Sequence, residues 1–332
     1  MTKLKLTLAC GSYDRTRALI DGTVQPEGMD LNFVSLGPGE IFWRMLNNQE
    51  FDASEMSLST YSILRSQGDE HFIALPVFPS RTFRHGCIYI QSGAGVRRPQ
   101  DLKGKRIGVG DYQMTAAVWV RGLLQHEYQV SPEELEWVVA APVCAGIDLP
   151  PQVRISPIDA GQSLERMLEN GEIDALVSVV MPKALHAEGS VVARLFPNFR
   201  EVESDYYRRT KIFPIMHTVV IKRELFEREP WIAISLYKAF VQAKEFNYKR
   251  LYDSNTLFAS LPWLIDEIES SRRIFGPEIW DYSVEGSRPT LDAFLQYLDE
   301  QGLAHRRMKI EELFAPNISP EFVRYLRGTG EA

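Results

Sequence analysis

A chain of 332 residues is longer than one hydrophobic core usually serves, so we expect two domains. Apolar residues make up 45% of the sequence and charged residues 24%, which is ordinary for a globular protein. The formal net charge of −7 argues against a nucleic-acid partner, because a phosphate-binding face needs an excess of basic residues.

The first third of the chain alternates between strand and helix patterns. Leu4, Leu6 and Leu8 alternate with polar residues, which is typical of a strand. The predicted elements that follow are helix 15–21, strand 30–36, helix 40–48, strand 51–56, helix 57–67 and strand 73–78. This alternation predicts a largely parallel sheet.

The middle of the chain repeats the pattern, and the last third is mostly helical. The predicted middle elements are strand 87–90, a short helix and a strand within 98–109, helix 111–128, strand 136–140, a Pro-rich loop at 142–157, helix 161–170 and a strand after 171. Residues 213–221 form the predicted return crossing to the first domain. Helices are then expected at 229–252, 261–275 and 290–301.

The amino terminus has two lysines and a cysteine at position 10, as some export signals do. Its uninterrupted apolar run is too short for the hydrophobic part of a signal peptide, so we expect a cytoplasmic protein with no membrane partner. A chain whose signal had been removed would show the same pattern. Cys10, Cys87 and Cys144 are far apart and odd in number, which predicts small buried side chains and no closed disulfide framework.

Two segments carry a resemblance to a fold family. RPQDLKGKRIGV at 98–109 resembles the start of the second lobe in type II periplasmic binding proteins, and GEIDA at 171–175 resembles another segment of that lobe. The resemblance implies an α/β, two-lobed periplasmic-binding-protein-like type II fold with an added helical C-terminal segment. Lobe 1 would comprise 1–93 and 214–332, lobe 2 would comprise 94–213, and a ligand would bind in the interlobe cleft.

Within that superfamily the chain is similar to the 4,5-dihydroxyphthalate decarboxylases. The segments that carry the similarity are YDRTRAL at 13–19, RML at 44–46, EFDASEMS at 50–57, PVFPSRTFRH at 76–85 and DYQMT at 111–115. The similarity implies a carbon–carbon lyase of aromatic catabolism that converts 4,5-dihydroxyphthalate to protocatechuate.

Arg81, Arg84 and His85 follow the predicted strand that ends at Phe78, and they form the strongest candidate cluster. Two guanidinium groups and an imidazole suit a dicarboxylate, since arginine binds carboxylates through paired, charge-assisted hydrogen bonds. The resemblance implies that this ligand is a small anionic aromatic substrate. Alternatively, one arginine forms a salt bridge between structural elements and His85 is a packed core histidine.

The other candidates lie at further strand ends and helix starts. Arg15 follows the first strand, whereas Glu55 and Ser57 could equally serve the following helix as a terminal charge and a cap. The predicted helix start at Tyr112, Met114 and Thr115 offers backbone N–H groups to an anion. His217 lies in the apolar return crossing, where a buried histidine is about as common as a catalytic one.

We assign Arg81 and Arg84 to carboxylate binding, His85 or His217 to proton transfer, and Glu55 to orienting a histidine or a phenol. No cofactor is predicted. The sequence has no metal-binding motif, although Glu55, His85 and His217 could assemble a metal site in space.

The residues by themselves are compatible with three functions. The first is the decarboxylase, and the alternative is a solute-binding protein for an aromatic or dicarboxylic acid without catalysis. A third is a related decarboxylase or hydrolase of a different aromatic acid. The apolar helical faces of the last third would suit a homodimer, but core packing explains them equally well.

Overall fold

The computed structural model describes residues 3–141, 147 and 149–328. The chain divides into two compact units. The first unit comprises Met1–Arg81, Ile215–Leu291 and Lys309–Ala332, and the second comprises Thr82–Pro214 and Asp292–Met308. Within the described residues, no helix is both long and apolar enough to span a membrane.

Eleven strands are found in the described part of the chain. In chain order they are β1 (Leu4–Cys10), β2 (Met29–Ser35), β3 (Ala53–Ser57), β4 (Phe72–Leu75), β5 (Ile88–Gln91), β6 (Arg106–Val109), β7 (Glu136–Val139), β8 (Arg154–Pro157), β9 (Ala175–Val177), β10 (Val192–Arg194) and β11 (His217–Lys222).

Eleven α-helices are found in the same residues. They are α1 (Arg17–Ile20), α2 (Pro38–Asn48), α3 (Leu58–Ser66), α4 (Thr115–Tyr128), α5 (Leu164–Glu169), α6 (Phe199–Thr210), α7 (Arg223–Arg228), α8 (Trp231–Leu251), α9 (Leu264–Phe275), α10 (Val284–Glu300) and α11 (Pro320–Gly328).

The sheet of the first unit has the strand order β2-β1-β3-β11-β4. β1 is parallel to both β2 and β3, whereas β11 is antiparallel to β3 and β4. The carboxyl ends of β1, β3 and β4 therefore lie at the same edge as the amino end of β11. All five residues of β3 are buried, so its side chains at this edge are held inside the unit.

The sheet of the second unit has the order β10-β5-β9-β6-β7-β8. β6 is parallel to β7 and β9, and β7 is parallel to β8. β5 is antiparallel to β9 and β10. The prediction of a largely parallel sheet is confirmed for β1–β4, which all run in one direction. Among the described strands, β11 in the first sheet and β5 in the second run against their neighbours.

The division into compact units differs from the predicted boundary at 93, whereas the return at Ile215 lies one residue from the predicted position 214. The first crossing lies at Arg81 and Thr82, because β5 already pairs within the second sheet. Residues 292–308 also belong to the second unit. There Phe294 and Tyr297 pack on Trp119, with ring centroids 5.3 and 5.6 Å apart from the indole.

Several local predictions are also wrong. The helix predicted from 111 begins at Thr115, and the loop predicted at 142–157 ends in β8. The helix α6 was not predicted, because it is strongly polar and Tyr206 is its only fully buried side chain among the described residues. Cys144 lies outside the described residues, whereas Cys10 is buried and Cys87 is half-buried.

Candidate functional site

A buried carboxylate at the edge of the first sheet forms the centre of the candidate site. Glu55 of β3 is fully buried, and four donors surround it. Its Oε1 accepts hydrogen bonds from Tyr13 Oη and His217 Nδ1, each at 2.6 Å. Its Oε2 accepts from the backbone N–H of Gly11 at 2.8 Å and lies 3.5 Å from Cys10 Sγ.

These donors determine the charge of Glu55. Burial by itself raises the pKa of a carboxyl group, because it penalises the charged form. Here the hydrogen bonds from His217, Tyr13 and Gly11 outweigh burial and lower the pKa of Glu55 below its usual value. Glu55 is therefore ionised at neutral pH, and its charge is held between groups that all donate.

The same carboxylate raises the pKa values of its acidic neighbours. Burial is the main cause that raises the pKa of the Tyr13 phenol, and the negative charge of Glu55 raises it further. The pKa therefore lies well above its ordinary value. Both causes also raise the pKa of the Cys10 thiol. Tyr13 and Cys10 consequently remain protonated and serve Glu55 as donors.

The ionised carboxylate also fixes the tautomer of His217. A carboxylate has no proton to give, so the proton of the 2.6 Å contact must be on Nδ1 of His217. Nε2 is then the ring nitrogen that can gain or release a proton. The His217 side chain is 18% exposed and its ring meets Phe42 edge-on at 5.0 Å, which fixes the ring plane.

Arg15 lies next to this cluster. Its guanidinium stacks on the ring of Tyr13 at 4.4 Å and on the ring of Trp280 at 4.0 Å. It also donates from Nε and from a terminal nitrogen to the Pro79 carbonyl, and from the other terminal nitrogen to Asp14 at 2.9 Å. The cation is thus held in one place beside the phenol that contacts Glu55.

Arg81 and Ser57, two further candidates of the first unit, have structural contacts. Arg81 is buried and donates to the Asp281 carbonyl at 2.7 Å and to Ser287 Oγ at 2.5 Å. Ser57 caps α3, accepting from the Thr60 N–H at 3.5 Å. These contacts are compatible with structural roles, and binding roles for both residues stay predictions.

His85 belongs to the second unit, where it is packed among aromatic rings. The rings of Phe196, Tyr206 and Tyr128 lie 5.2, 5.4 and 6.2 Å from it. Neither ring nitrogen has a hydrogen-bond partner among the residues that the structure describes. Burial, aided by the charge of Arg209, lowers the pKa of His85 to about 4, so the imidazole is neutral at pH 7.

Glu203 of α6 completes this cluster in the second unit. It accepts from the Gly86 N–H at 3.1 Å, and its Oε1 lies 3.8 Å from Nδ1 of His85. Burial raises the pKa of Glu203 to about 7. Arg84, whose guanidinium lies 3.5 Å from Cys87 Sγ, is buried in the same region.

The predicted anion site at the start of α4 also lies in the second unit. Met114 is the N-cap of the helix and Thr115 is its first residue. Tyr112 is fully buried, with its ring against Trp137 and beneath the guanidinium of Arg121 at 3.8 Å. The Tyr112 hydroxyl has no hydrogen-bond partner in the described part of the chain.

The first unit therefore brings together Glu55, His217 and Arg15, all named from the sequence, and adds two residues that were not. Tyr13 was part of a family-like segment but received no role, and Cys10 was interpreted only as a small buried side chain. Their proximity to a predicted strand end was the available signal. Among residues 3–141, 147 and 149–328, no group of three or more His, Cys, Asp and Glu side chains is arranged to hold a metal ion.

Two known proteins are similar to this chain in sequence. No protein-family model matches the chain. The chain is 38% identical over 322 residues to a 4,5-dihydroxyphthalate decarboxylase of Comamonas testosteroni, covering 95% of this chain and 98% of the relative. It is 39% identical over 214 residues to a protein of the same name from Pseudomonas putida, covering 63% and 83%.

One solved structure is similar to this chain in fold. The periplasmic aliphatic sulphonate binding protein SsuA of Escherichia coli aligns with a TM-score of 0.55 at 11% identity, covering 95% of this chain and 98% of that one. The predicted periplasmic-binding-protein fold is thereby confirmed. The similarity to the two relatives in sequence, which extends over nearly the whole chain in the first case, shows that this protein belongs to the family of 4,5-dihydroxyphthalate decarboxylases.

Proposed function

We propose that this chain removes one carboxylate from 4,5-dihydroxyphthalate and releases CO2 and protocatechuate. The relatives' names give the substrate. The observation that carries the chemistry is the Glu55–His217 contact, an imidazole whose Nδ1 proton is fixed by a buried carboxylate. Such a pair presents Nε2 as a proton donor or acceptor in a defined orientation.

The reaction exchanges one carboxylate for one proton and needs no oxidant. A hydroxyl group para to the departing carboxylate supplies electron density to the ring. Nε2–H of cationic His217 would protonate the ring carbon that bears the carboxylate. The carbon–carbon bond then breaks, its electron pair restores the aromatic ring, CO2 leaves, and His217 regains a proton from solvent.

The side chains of the first unit suit distinct parts of this reaction. Glu55 accepts the hydrogen bond from Nδ1–H of His217 and stabilises the imidazolium. Its two oxygens already face four donors, so Glu55 has no free position for substrate. We therefore assign it to orienting His217. Arg15 is assigned to the carboxylate that stays on the ring, because charge-assisted arginine contacts orient carboxylates.

The remaining predicted roles stay part of the proposal. Carboxylate binding by Arg81 and Arg84, and ligand contacts by Ser57, Tyr112, Met114 and Thr115, await measurement. Between the two histidines we favour His217 as the proton donor. A neutral, aromatic-packed His85 would have to be protonated against its burial before it could give up a proton.

A solute-binding protein is the second candidate function, since the fold neighbour is a periplasmic binding protein. The two functions differ in turnover. We expect purified protein incubated with 4,5-dihydroxyphthalate to release CO2 and protocatechuate in equal amounts. Tight binding of the substrate without product between pH 5 and 9 would instead favour the binding protein.

The physiological setting is inferred from the same reasoning. We infer a small-molecule substrate and a cytoplasmic location, because the reaction belongs to aromatic catabolism. A homodimer stays a prediction that the mass of the protein in solution would test.

A further inference from the structure

Tyr13 contacts both parts of the candidate site, the proton donor and the cation. It follows β1, where the chain turns at the sheet edge that carries Glu55 and His217. Its hydroxyl group and its ring have different partners. The hydroxyl contact can therefore be removed while the ring contact is kept.

The hydroxyl group serves the Glu55–His217 pair. Tyr13 Oη lies 2.6 Å from the same Oε1 atom that accepts from His217 Nδ1. Because burial keeps the phenol protonated, Tyr13 can only donate to this oxygen. The carboxylate is thereby fixed from both sides, and rotation of Glu55 away from His217 would cost a buried hydrogen bond.

The ring serves Arg15. The guanidinium lies between the rings of Tyr13 and Trp280, at 4.4 and 4.0 Å from their centroids. Trp280 is itself fixed by a 2.8 Å hydrogen bond from Nε1 to the Phe78 carbonyl. The stack therefore holds the plane of the guanidinium.

Arg15 retains donors for a ligand. A guanidinium has five N–H groups. In the described part of the chain, Arg15 uses three of them, two toward Pro79 and one toward Asp14. One N–H on each terminal nitrogen remains, and a pair of this kind matches the two oxygens of a carboxylate.

We propose that Tyr13 is a positioning residue that joins proton donation to substrate binding: its hydroxyl holds the Glu55 carboxylate against His217, and its ring holds the Arg15 guanidinium for a substrate carboxylate. The inference rests on the proposed decarboxylase activity for its kinetic consequences. Its structural part, the fixed Nδ1 proton of His217, does not depend on turnover.

Two substitutions separate the two contacts. Tyr13→Phe removes the hydroxyl and keeps the ring, so kcat should fall about tenfold or more while KM changes less than about twofold. Tyr13→Leu removes both, so KM should also rise about tenfold. Equal kcat in Tyr13→Phe and wild type, or an unchanged KM in Tyr13→Leu, would overturn the inference.

Tyr61→Phe is a matched control. Tyr61 is another buried tyrosine of the first unit, and its hydroxyl donates to the Leu313 carbonyl at 2.5 Å and accepts from the Ala74 N–H at 3.2 Å. This variant should lose stability but keep both kinetic constants. If it lowers kcat as much as Tyr13→Phe does, the effect of Tyr13 is only structural.

The Nδ1 proton of His217 can also be measured without substrate, so the role of Tyr13 can be tested even if the protein shows no turnover. In 15N-labelled wild-type protein, the Nδ1 proton of His217 should give a downfield resonance that exchanges slowly with water. In Tyr13→Phe this resonance should move and exchange faster, and in Tyr61→Phe it should be unchanged. An identical resonance in wild type and Tyr13→Phe would overturn the inference, whereas absence of turnover in the wild type would overturn only the proposed function.

Discussion

Glu55 can be buried as an anion because every acceptor position it offers meets a donor. The cost of removing a carboxylate from water is large and has to be offset by hydrogen bonds. The backbone N–H of Gly11, the Tyr13 phenol and the His217 imidazole supply them within 2.8 Å. Since these donors come from the segment that follows β1 and from β11, the charge depends on the strand order of the sheet.

Replacing Glu55 with glutamine tests this interpretation. The amide keeps the shape, but its NH2 group would face a donor, and the Nδ1 proton of His217 would lose its anionic partner. We expect kcat to fall about 10²-fold or more, with little change in KM, and the free energy of unfolding to fall by about 1–3 kcal/mol. Steady-state kinetics and urea unfolding measure both. A variant with wild-type kcat would exclude a role for Glu55 in orienting the proton donor.

His85 and Glu203 make opposite contributions to the pH dependence of stability. The pKa of His85 is lowered to about 4, so its stabilising contribution is present above pH 6.5 and is lost as the pH falls through 4. The pKa of Glu203 is raised to about 7, so its contribution is present below pH 4.5 and is lost as the pH rises through 7. In the wild type the two changes largely offset each other between pH 4.5 and 6.5.

Glu203→Gln should reveal the contribution of His85. The variant should become more stable as the pH rises from 4.5 to 6.5, by on the order of 3 kcal/mol, because unfolded His85 binds a proton that folded His85 excludes. His85→Phe should show the reverse slope. Urea unfolding at four pH values measures both. A flat profile in each single variant would show that neither group titrates as its burial requires.

At the scale of secondary-structure elements, Ser57 is the N-cap of α3, and this role can be separated from a role in substrate binding. Its hydroxyl accepts from the Thr60 N–H at 3.5 Å and lies 3.1 Å from Ser59 Oγ. If Ser57 is only a cap, Ser57→Ala should lower the free energy of unfolding by about 1 kcal/mol and leave KM unchanged. Thermal unfolding and kinetics on the same preparation answer this. A higher KM at unchanged stability would assign Ser57 to the substrate.

Arg81 connects the segment after β4 to the segment that begins α10. Its guanidinium contacts the Asp281 carbonyl and Ser287. Arg81→Ala should therefore lower the free energy of unfolding by about 2–4 kcal/mol, because hydrogen bonds from a charged group are lost inside the first unit. Denaturant unfolding and KM should be measured together. A large rise in KM with unchanged stability would restore Arg81 as a carboxylate-binding residue.

The elements that the sequence predicted well are those with one clear period. β1, α2, β6 and α8 were all found close to their expected bounds, because apolar residues alternate along the strands and recur at helical spacing along the helices. α6 was missed because its sequence is mostly polar, although Phe199, Val202 and Tyr206 recur at helical spacing on its less exposed face. The start of α4 was placed too early, since the turn at Asp111 uses the same residue types as a helix cap.

The site could be predicted only in part for a similar reason. Strand ends pointed to Arg15, Glu55 and the region of His217. The contact between Tyr13 and Glu55 joins residues 42 positions apart, and the contact between His217 and Glu55 joins residues 162 positions apart. The first contact depends on β1 pairing with β3 and the second on β11 pairing with β3, and no local pattern encodes either pairing.

At the scale of the whole molecule, the chain crosses from one sheet to the other and returns. The crossing out of the first unit follows Arg81, whose backbone bridges to Ile215 at the return. The two crossing segments are thus paired, and β11 carries His217 to the edge where β1 and β3 end. The discontinuity of the first unit therefore delivers the proposed proton donor to its carboxylate.

In the proposed reaction, His217 donates the proton that replaces the departing carboxylate of 4,5-dihydroxyphthalate. The most direct measurement follows CO2 and protocatechuate from 4,5-dihydroxyphthalate in D2O, with wild-type protein and with His217→Asn. We predict equal amounts of both products, one deuterium at the ring carbon that lost its carboxylate, and a rate about 10²-fold or more lower in His217→Asn with binding retained. Unchanged substrate bound to the wild type would exclude decarboxylation by this protein, and wild-type turnover by His217→Asn would exclude His217 as the proton donor.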